Sequence, residues 1–130
     1  MKRTFIIIVI ALIAFVEGCN KDEGEGGTST IIGKVYVLDY NMEYTNLLGE
    51  YYAQEEDVYI IYGDDNVYSD RFETNYDGTY RFQYLRQGIY TVYAYSEDTT
   101  GGLPLIPVEK TVEITENNQV VEVEDIVIVK

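Results

Sequence analysis

The sequence predicts an all-β fold, a seven-stranded antiparallel-type Greek-key sandwich, from three observations. Apolar and polar residues alternate from Thr30 onward, which is the pattern of strands that bury one face. Short turn motifs rich in glycine, asparagine and aspartate recur between the alternating runs. All 14 tyrosines lie between Tyr36 and Tyr95, and β-branched residues crowd the same region, a composition that favours strands over helices.

The 130 residues suffice for one folded domain. Changes in composition along the chain predict three segments. Residues 1–18 are interpreted as a signal peptide, residues 19–29 as a flexible tether, and residues 30–130 as the sandwich.

The first segment has the features of a secretory leader. Lys2 and Arg3 precede an apolar run from Phe5 to Val16, which is shorter than the roughly 20 residues that a membrane-spanning helix needs. The residues that follow this run, Val-Glu-Gly-Cys, resemble the lipobox of bacterial lipoproteins, although Glu17 departs from its usual small residue. The resemblance implies that Cys19, the one cysteine of the chain, becomes the first residue and carries the lipid.

The segment after Cys19 is acidic and rich in glycine, NKDEGEGGTST, and is predicted to be a tether. Its charged residues resemble an export signal that places lipoproteins on the outer face of the outer membrane in one group of Gram-negative bacteria. The residues concerned are Lys21, Asp22, Glu23 and Glu25. We therefore expect an outer-membrane lipoprotein exposed at the cell surface; a plain solvated linker on a periplasm-facing protein is the alternative.

Seven strands are predicted in the third segment. They run from Ile31 to Leu38, Asp57 to Tyr62, Val67 to Thr74, Thr79 to Tyr84, Ile89 to Glu97, Val108 to Ile114 and Val120 to Val129. The connections GDDN, NYDG, LRQG and TENNQ are short and are built of residues that favour tight turns.

One stretch, TNYDGTYRFQYLRQGIYTVYA, carries a family resemblance. Asp77 and Gly78 form its hairpin turn, and Tyr80 and Tyr90 are predicted to point into the core on either side of a second turn. This arrangement resembles the carboxypeptidase regulatory-like domain, a transthyretin-like sandwich. The resemblance implies an adhesive, structural or accessory module without common catalytic residues.

The side chains needed for most catalysis are missing. The chain has no histidine, and its single cysteine is predicted to be acylated, which excludes histidine-based triads, cysteine nucleophiles and the common zinc sites. A carboxylate pair of the glycosidase type would need a cleft that a small sandwich is not expected to have. The net charge of −14 disfavours nucleic acid. We therefore predict no enzyme, no cofactor and no nucleic-acid partner.

Calcium is the one metal that the composition leaves open, because carboxylate oxygens are abundant. Two acidic clusters, 55–57 and 64–66, flank the second predicted strand and lie about 17 Å apart, so they cannot share one ion. Neither cluster has EF-hand spacing. Solvated turns are the favoured interpretation, and no metal ligand is assigned.

Strands that alternate in direction sort the connections onto two ends of the sandwich. The tight turns and the tether share one end, so the segments 39–56, 75–78 and 98–107 are predicted to gather at the other, away from the membrane. The candidate ligand-binding residues there are Tyr40, Tyr44, Tyr51, Tyr52, Tyr76, Asp77 and Asp98. The sequence thus predicts a binding module for a glycan or a protein; a structural or accessory subunit of an envelope assembly is the alternative.

Overall fold

The computed structural model describes residues 22–130, so the leader, Cys19 and Lys21 lie outside the described residues. This part of the chain is all-β and contains nine strands, with no helix that could cross a membrane. The strands are β1 (Glu25–Tyr40), β2 (Leu47–Tyr52), β3 (Asp57–Tyr62), β4 (Asp70–Glu73), β5 (Thr79–Leu85), β6 (Gly88–Glu97), β7 (Leu105–Ile114), β8 (Val120–Glu122) and β9 (Ile126–Val129).

The strands form two sheets packed as a sandwich. In the first sheet the long strand β1 pairs with β5 along its first half and with β2 along its second half, both antiparallel. On its other side β1 pairs in parallel with β8 and then with β9. The second sheet has the order β4-β3-β6-β7 and is antiparallel throughout.

The core lies between the two sheets and is built from the inward side of each alternating strand. Tyr80 and Tyr90 are both fully buried in it, as the sequence predicted. Gly33 faces Tyr80 across the pair of β1 and β5, and a Cβ at that position would clash with Tyr80 Oη. The small residue at position 33 therefore makes room for a large aromatic core residue.

The predicted strand count was too low, because two features carry little sequence signal. The segment interpreted as a loop, 39–56, contains β2, whose side chains are almost all exposed, so it shows no alternation. The last predicted strand is two strands, β8 and β9, separated by an interruption of the pairing with β1 at residues 123–125. The predicted strand from Val67 to Thr74 is shortened to Asp70–Glu73.

Strand β1 begins at Glu25 rather than at Ile31, so residues 25–29 of the predicted tether belong to the sheet. Ser29 is buried, and its hydroxyl donates to the carbonyl of Glu116 at 2.8 Å. Gly24 N donates to Tyr90 Oη at 2.9 Å. Backbone pairing needs no apolar side chains, so a glycine-rich segment could join the sheet without a hydrophobic pattern.

The ends of the sandwich sort largely as predicted. The first described residues lie with the tight turns 63–66, 85–88 and 115–119, and we call this the anchor end. Contacts across it include Arg86 N to Gly24 O at 2.9 Å and Gly63 N to Ile89 O at 2.9 Å. The connections 41–46 and 98–104 lie at the opposite end, which we call the distal end.

Candidate functional site at the distal end

Tyr44 joins the two connections of the distal end. Its hydroxyl donates to Glu97 Oε2 at 3.0 Å, which links the segment 41–46 to the last residue of β6. This hydrogen bond raises the pKa of Tyr44 above its ordinary value. The side chain of Asn41 accepts from the backbone of Thr45 and Asn46, so the connection is held by its own polar groups. Hydrogen bonds therefore hold the side chain of Tyr44 and the connection that carries it in one conformation.

Asp98 organises the neighbouring connection. One carboxylate oxygen accepts from Thr100 Oγ1 at 2.6 Å and the other from Leu103 N at 2.9 Å. Hydrogen bonding from Thr100 holds the pKa of Asp98 below its usual range. The carboxylate that the sequence assigned to ligand binding is thus engaged in shaping its own loop.

Exposed apolar side chains lie in the two connections that Tyr44 joins and at the starts of the strands that follow them. Met42 is 92% exposed and Leu103 is 60% exposed, and each comes from one of the two connections. Leu47 opens β2 beside Tyr40, and Leu105 opens β7 beside Glu97; they are 45% and 51% exposed. We call Met42, Tyr44, Leu47, Leu103 and Leu105 the distal surface. Several exposed apolar side chains at one end of a domain are a feature of interaction sites.

The remaining predicted site residues lie in different parts of the structure. Tyr40 closes β1 next to the distal surface. Tyr51 and Tyr52 lie in β2 opposite Val37 and Tyr36. The hydroxyl of Tyr52 donates to Asp125 Oδ2 at 3.0 Å, and Lys34 Nζ lies 4.7 Å from the centre of its ring. This places Tyr52 on the outer face of the first sheet.

Tyr76 and Asp77 lie away from the distal surface, on a turn that packs against Tyr52 at the end of β2. β5 pairs with the first half of β1, so its turn meets β1 at Lys34. From there to Tyr40 the chain rises about 20 Å. Hydrogen bonds from Thr79 to the carboxylate of Asp77 stabilise the turn and lower the pKa of Asp77. The side chain of Tyr76 is 83% exposed. Of the predicted residues, the structure therefore places Tyr40, Tyr44 and Asp98 at the distal end, and Tyr52 beside the turn that carries Tyr76 and Asp77.

Sequence reasoning missed a group of four tyrosines on the outer face of the second sheet: Tyr59, Tyr68, Tyr93 and Tyr95. We call this group the tyrosine face. The ring of Tyr59 stacks on Tyr93 at 5.1 Å between centres, and Tyr68 and Tyr95 meet it edge-on at 4.9 and 5.7 Å. The alternation of side chains along β6 could have predicted part of this group. Tyr90 and Val92 face inward, so Tyr93 and Tyr95 lie together on the opposite side.

Two residues of the first acidic cluster considered for calcium, 55–57, are paired with cations. Glu56 Oε2 accepts from Lys130 Nζ at 2.8 Å, and Asp57 Oδ1 lies 3.3 Å from Arg71 Nη1. Within residues 22–130 no group of three potential metal ligands comes together.

A small cavity of about 250 Å³ lies between β8 and β9 along β1. The residues that line it include Gly33, Lys34, Thr79, Glu122 and Asp125. Behind Gly33 lies the hydroxyl of Tyr80, which is buried without a hydrogen-bond partner among the described residues. Burial, with a smaller effect of the Asp125 carboxylate, raises the pKa of Tyr80. The cavity is open to solvent and shows no convergent catalytic pair.

In a comparison with solved structures, the chain is similar to a crystal structure of a candidate carbohydrate binding protein from Pseudomonas aeruginosa. The sequence identity is 13%, the match covers 82% of this chain and 91% of that chain, and the TM-score is 0.48. No protein-family model and no curated protein sequence match the chain. The carboxypeptidase regulatory-like family is therefore not confirmed.

Proposed function

We propose that the protein is a non-catalytic binding module, held to the outer membrane by lipid on Cys19 and displayed at the cell surface, that recognises a partner through its distal surface. The observation that carries the proposal is the set of exposed apolar side chains in and beside the two distal connections, which the hydrogen bond of Tyr44 to Glu97 links. Apolar side chains left in water at the tip of a rigid scaffold are stabilised when a partner covers them.

The position of the first described residues determines how the proposed anchor would orient the domain. The backbone carbonyl of Asp22 accepts from Arg86 Nε at 2.6 Å, so the chain is attached to the anchor end three residues after Cys19. Three residues extend over about 10 Å at most. A lipid on Cys19 would hold the anchor end against the bilayer and direct the distal surface away from it.

The chemistry of the distal surface favours a protein partner over a glycan. Methionine and leucine supply flexible apolar area but no flat ring for a sugar to stack on, and methionine is enriched in protein interfaces. Tyr44 adds one aromatic ring, and its hydroxyl is already engaged by Glu97. We therefore infer a protein ligand at this end.

The alternative of an accessory subunit would use a free sheet edge for assembly. Among the described residues β7 pairs only with β6, so its other edge has no paired strand, although residues 121–124 lie beside it and Lys110 Nζ is 4.0 Å from Glu124 Oε2. Pro107, Glu109 and Glu113 lie in this strand, and proline and charge are the residues that protect an edge from further pairing. The edge of β7 is therefore weaker support for an accessory subunit than the distal surface is for a binding module.

The test is a pull-down of surface proteins with the full chain as bait, compared between two pairs of variants. Met42→Asp with Leu103→Asp should lose the captured protein, because each places a charge in the apolar contact. The control, Val67→Asp with Val120→Asp, changes residues that are 73% and 65% exposed at the anchor end and should retain it. Equal capture by both pairs would contradict recognition through the distal surface.

A further inference from the structure

The tyrosine face is a second surface, separate from the distal surface, and its rings form a continuous platform. Tyr93 is 8% exposed and lies stacked beside Tyr59, while Tyr68 and Tyr95 are 52% and 40% exposed. Tyr93 and Tyr95 come from β6 and Tyr59 from β3, so two paired strands fix three of the rings. Such rings lose little conformational entropy when a ligand covers them.

Polar groups stand beside this platform. Arg71 is paired with Tyr59 in the register of β3 and β4, and its guanidinium lies 3.3 Å from the carboxylate of Asp57. Both side chains of this ion pair are well exposed, at 54% and 38%. Glu109 lies opposite Tyr93 in β7. Aromatic faces thus stand next to hydrogen-bond donors and acceptors that remain accessible.

The size of the platform argues against a second copy of the chain as the occupant. A tyrosine side chain offers on the order of 200 Å², so the exposed fractions amount to roughly 250 Å² over the four rings. A stable protein interface needs about 800 Å² on each side. The platform is instead comparable with one face of a short oligosaccharide.

Charge restricts the kind of oligosaccharide. The chain carries a net charge of −14, and Asp57 and Glu109 border the platform with Arg71 as the neighbouring cation. An anionic sugar would be repelled by this surface. A neutral sugar presents C–H groups to the negative faces of the rings and hydroxyl groups to the surrounding polar side chains.

We propose that the tyrosine face binds a neutral glycan, with the rings of Tyr59, Tyr68 and Tyr95 contacting the sugar and Arg71 and Asp57 bonding its hydroxyls. Recognition here is independent of the distal surface. A protein at the tip and a neutral glycan on the sheet face would then be two ligands of one module.

The experiment measures binding of the full chain, in detergent, to immobilised neutral gluco-, manno-, xylo- and galacto-oligosaccharides and to a polyuronic acid. The wild type should retain at least one neutral glycan and not the polyuronic acid. Tyr68→Ala and Tyr95→Ala should each weaken binding about tenfold or more. The matched control is Tyr84→Ala, since Tyr84 is 70% exposed and lies outside the cluster, and its affinity should stay within about twofold.

Three outcomes would overturn the proposal: no neutral glycan is retained, Tyr84→Ala weakens binding as much as Tyr95→Ala, or the wild type is a dimer that Tyr95→Ala dissociates. Melting temperatures of the variants separate a lost contact from a lost fold. Met42→Asp should bind the glycan normally, so failure at the distal surface and failure at the tyrosine face are told apart.

Discussion

Two buried tyrosines give a matched pair for testing how the core is assembled. Tyr80 and Tyr90 are both 0% exposed, but their hydroxyls differ in hydrogen bonding. Tyr90 Oη accepts from Gly24 N at 2.9 Å and donates to the carbonyl of Arg86 at 2.7 Å. Tyr80 Oη has no partner among residues 22–130. Replacing each by phenylalanine removes only the oxygen.

The two substitutions should change stability in opposite directions. Tyr90→Phe leaves a buried backbone N–H without its acceptor and should lower the free energy of unfolding by about 1 to 3 kcal/mol. Tyr80→Phe removes a hydroxyl that was buried without compensation and should raise the free energy of unfolding by about 1 kcal/mol. The variants should therefore differ by about 2 to 4 kcal/mol.

Urea unfolding followed by circular dichroism measures this difference, with unchanged slopes showing that both variants unfold between the same two states. A loss of stability in Tyr80→Phe equal to that in Tyr90→Phe would refute the reasoning, because it would mean that the hydroxyl of Tyr80 is paired in solution. Amide exchange at Gly24 provides a second readout, since it should accelerate in Tyr90→Phe only.

Three further predictions concern the anchor, the export signal and the pH dependence. Cys19→Ala should release the protein from the membrane fraction without lowering its melting temperature, and continued partition with membranes would contradict lipidation. Replacing Lys21, Asp22, Glu23 and Glu25 by alanine should leave the protein in the membrane fraction but reduce its cleavage by external protease. Equal cleavage of the variant and the wild type would contradict the proposed export signal. Burial raises the pKa of Tyr62 and Tyr93 to about 12 from an ordinary 10.0, so the stability they contribute is complete below pH 10 and is lost as pH rises through about 12. A tyrosinate absorbance titration would show this late phase, and complete titration near pH 10 in the folded protein would contradict it.

Much of the fold could be predicted because half-buried strands carry a period of two in their side chains. β3 was predicted to the residue, and the inward positions of Tyr80 and Tyr90 followed from the alternation around two turns. β2 and the start of β1 could not be predicted in the same way. β2 lies at an edge with exposed side chains, and residues 25–29 pair through the backbone.

The candidate site was predicted less completely, because it depends on which halves of β1 the other strands occupy. The sequence shows that β5 follows a turn but not that β5 meets the first half of β1, which moves Tyr76 and Asp77 away from the distal end. The tyrosine face was not predicted because its residues come from β6, β3 and the connection before β4. These residues meet only when β3 and β6 pair in the folded structure. Long-range register is a property of the whole packed structure.

The most direct test of recognition through the distal surface is photo-crosslinking on intact cells, with a photoreactive amino acid placed at Met42 or at Val120. Both side chains are exposed and apolar, but they lie at opposite ends of the sandwich. The proposed function predicts a discrete protein adduct from position 42, abolished by Leu103→Asp, and no such adduct from position 120. An adduct from position 120 alone, or one from position 42 that persists in Leu103→Asp, would contradict it.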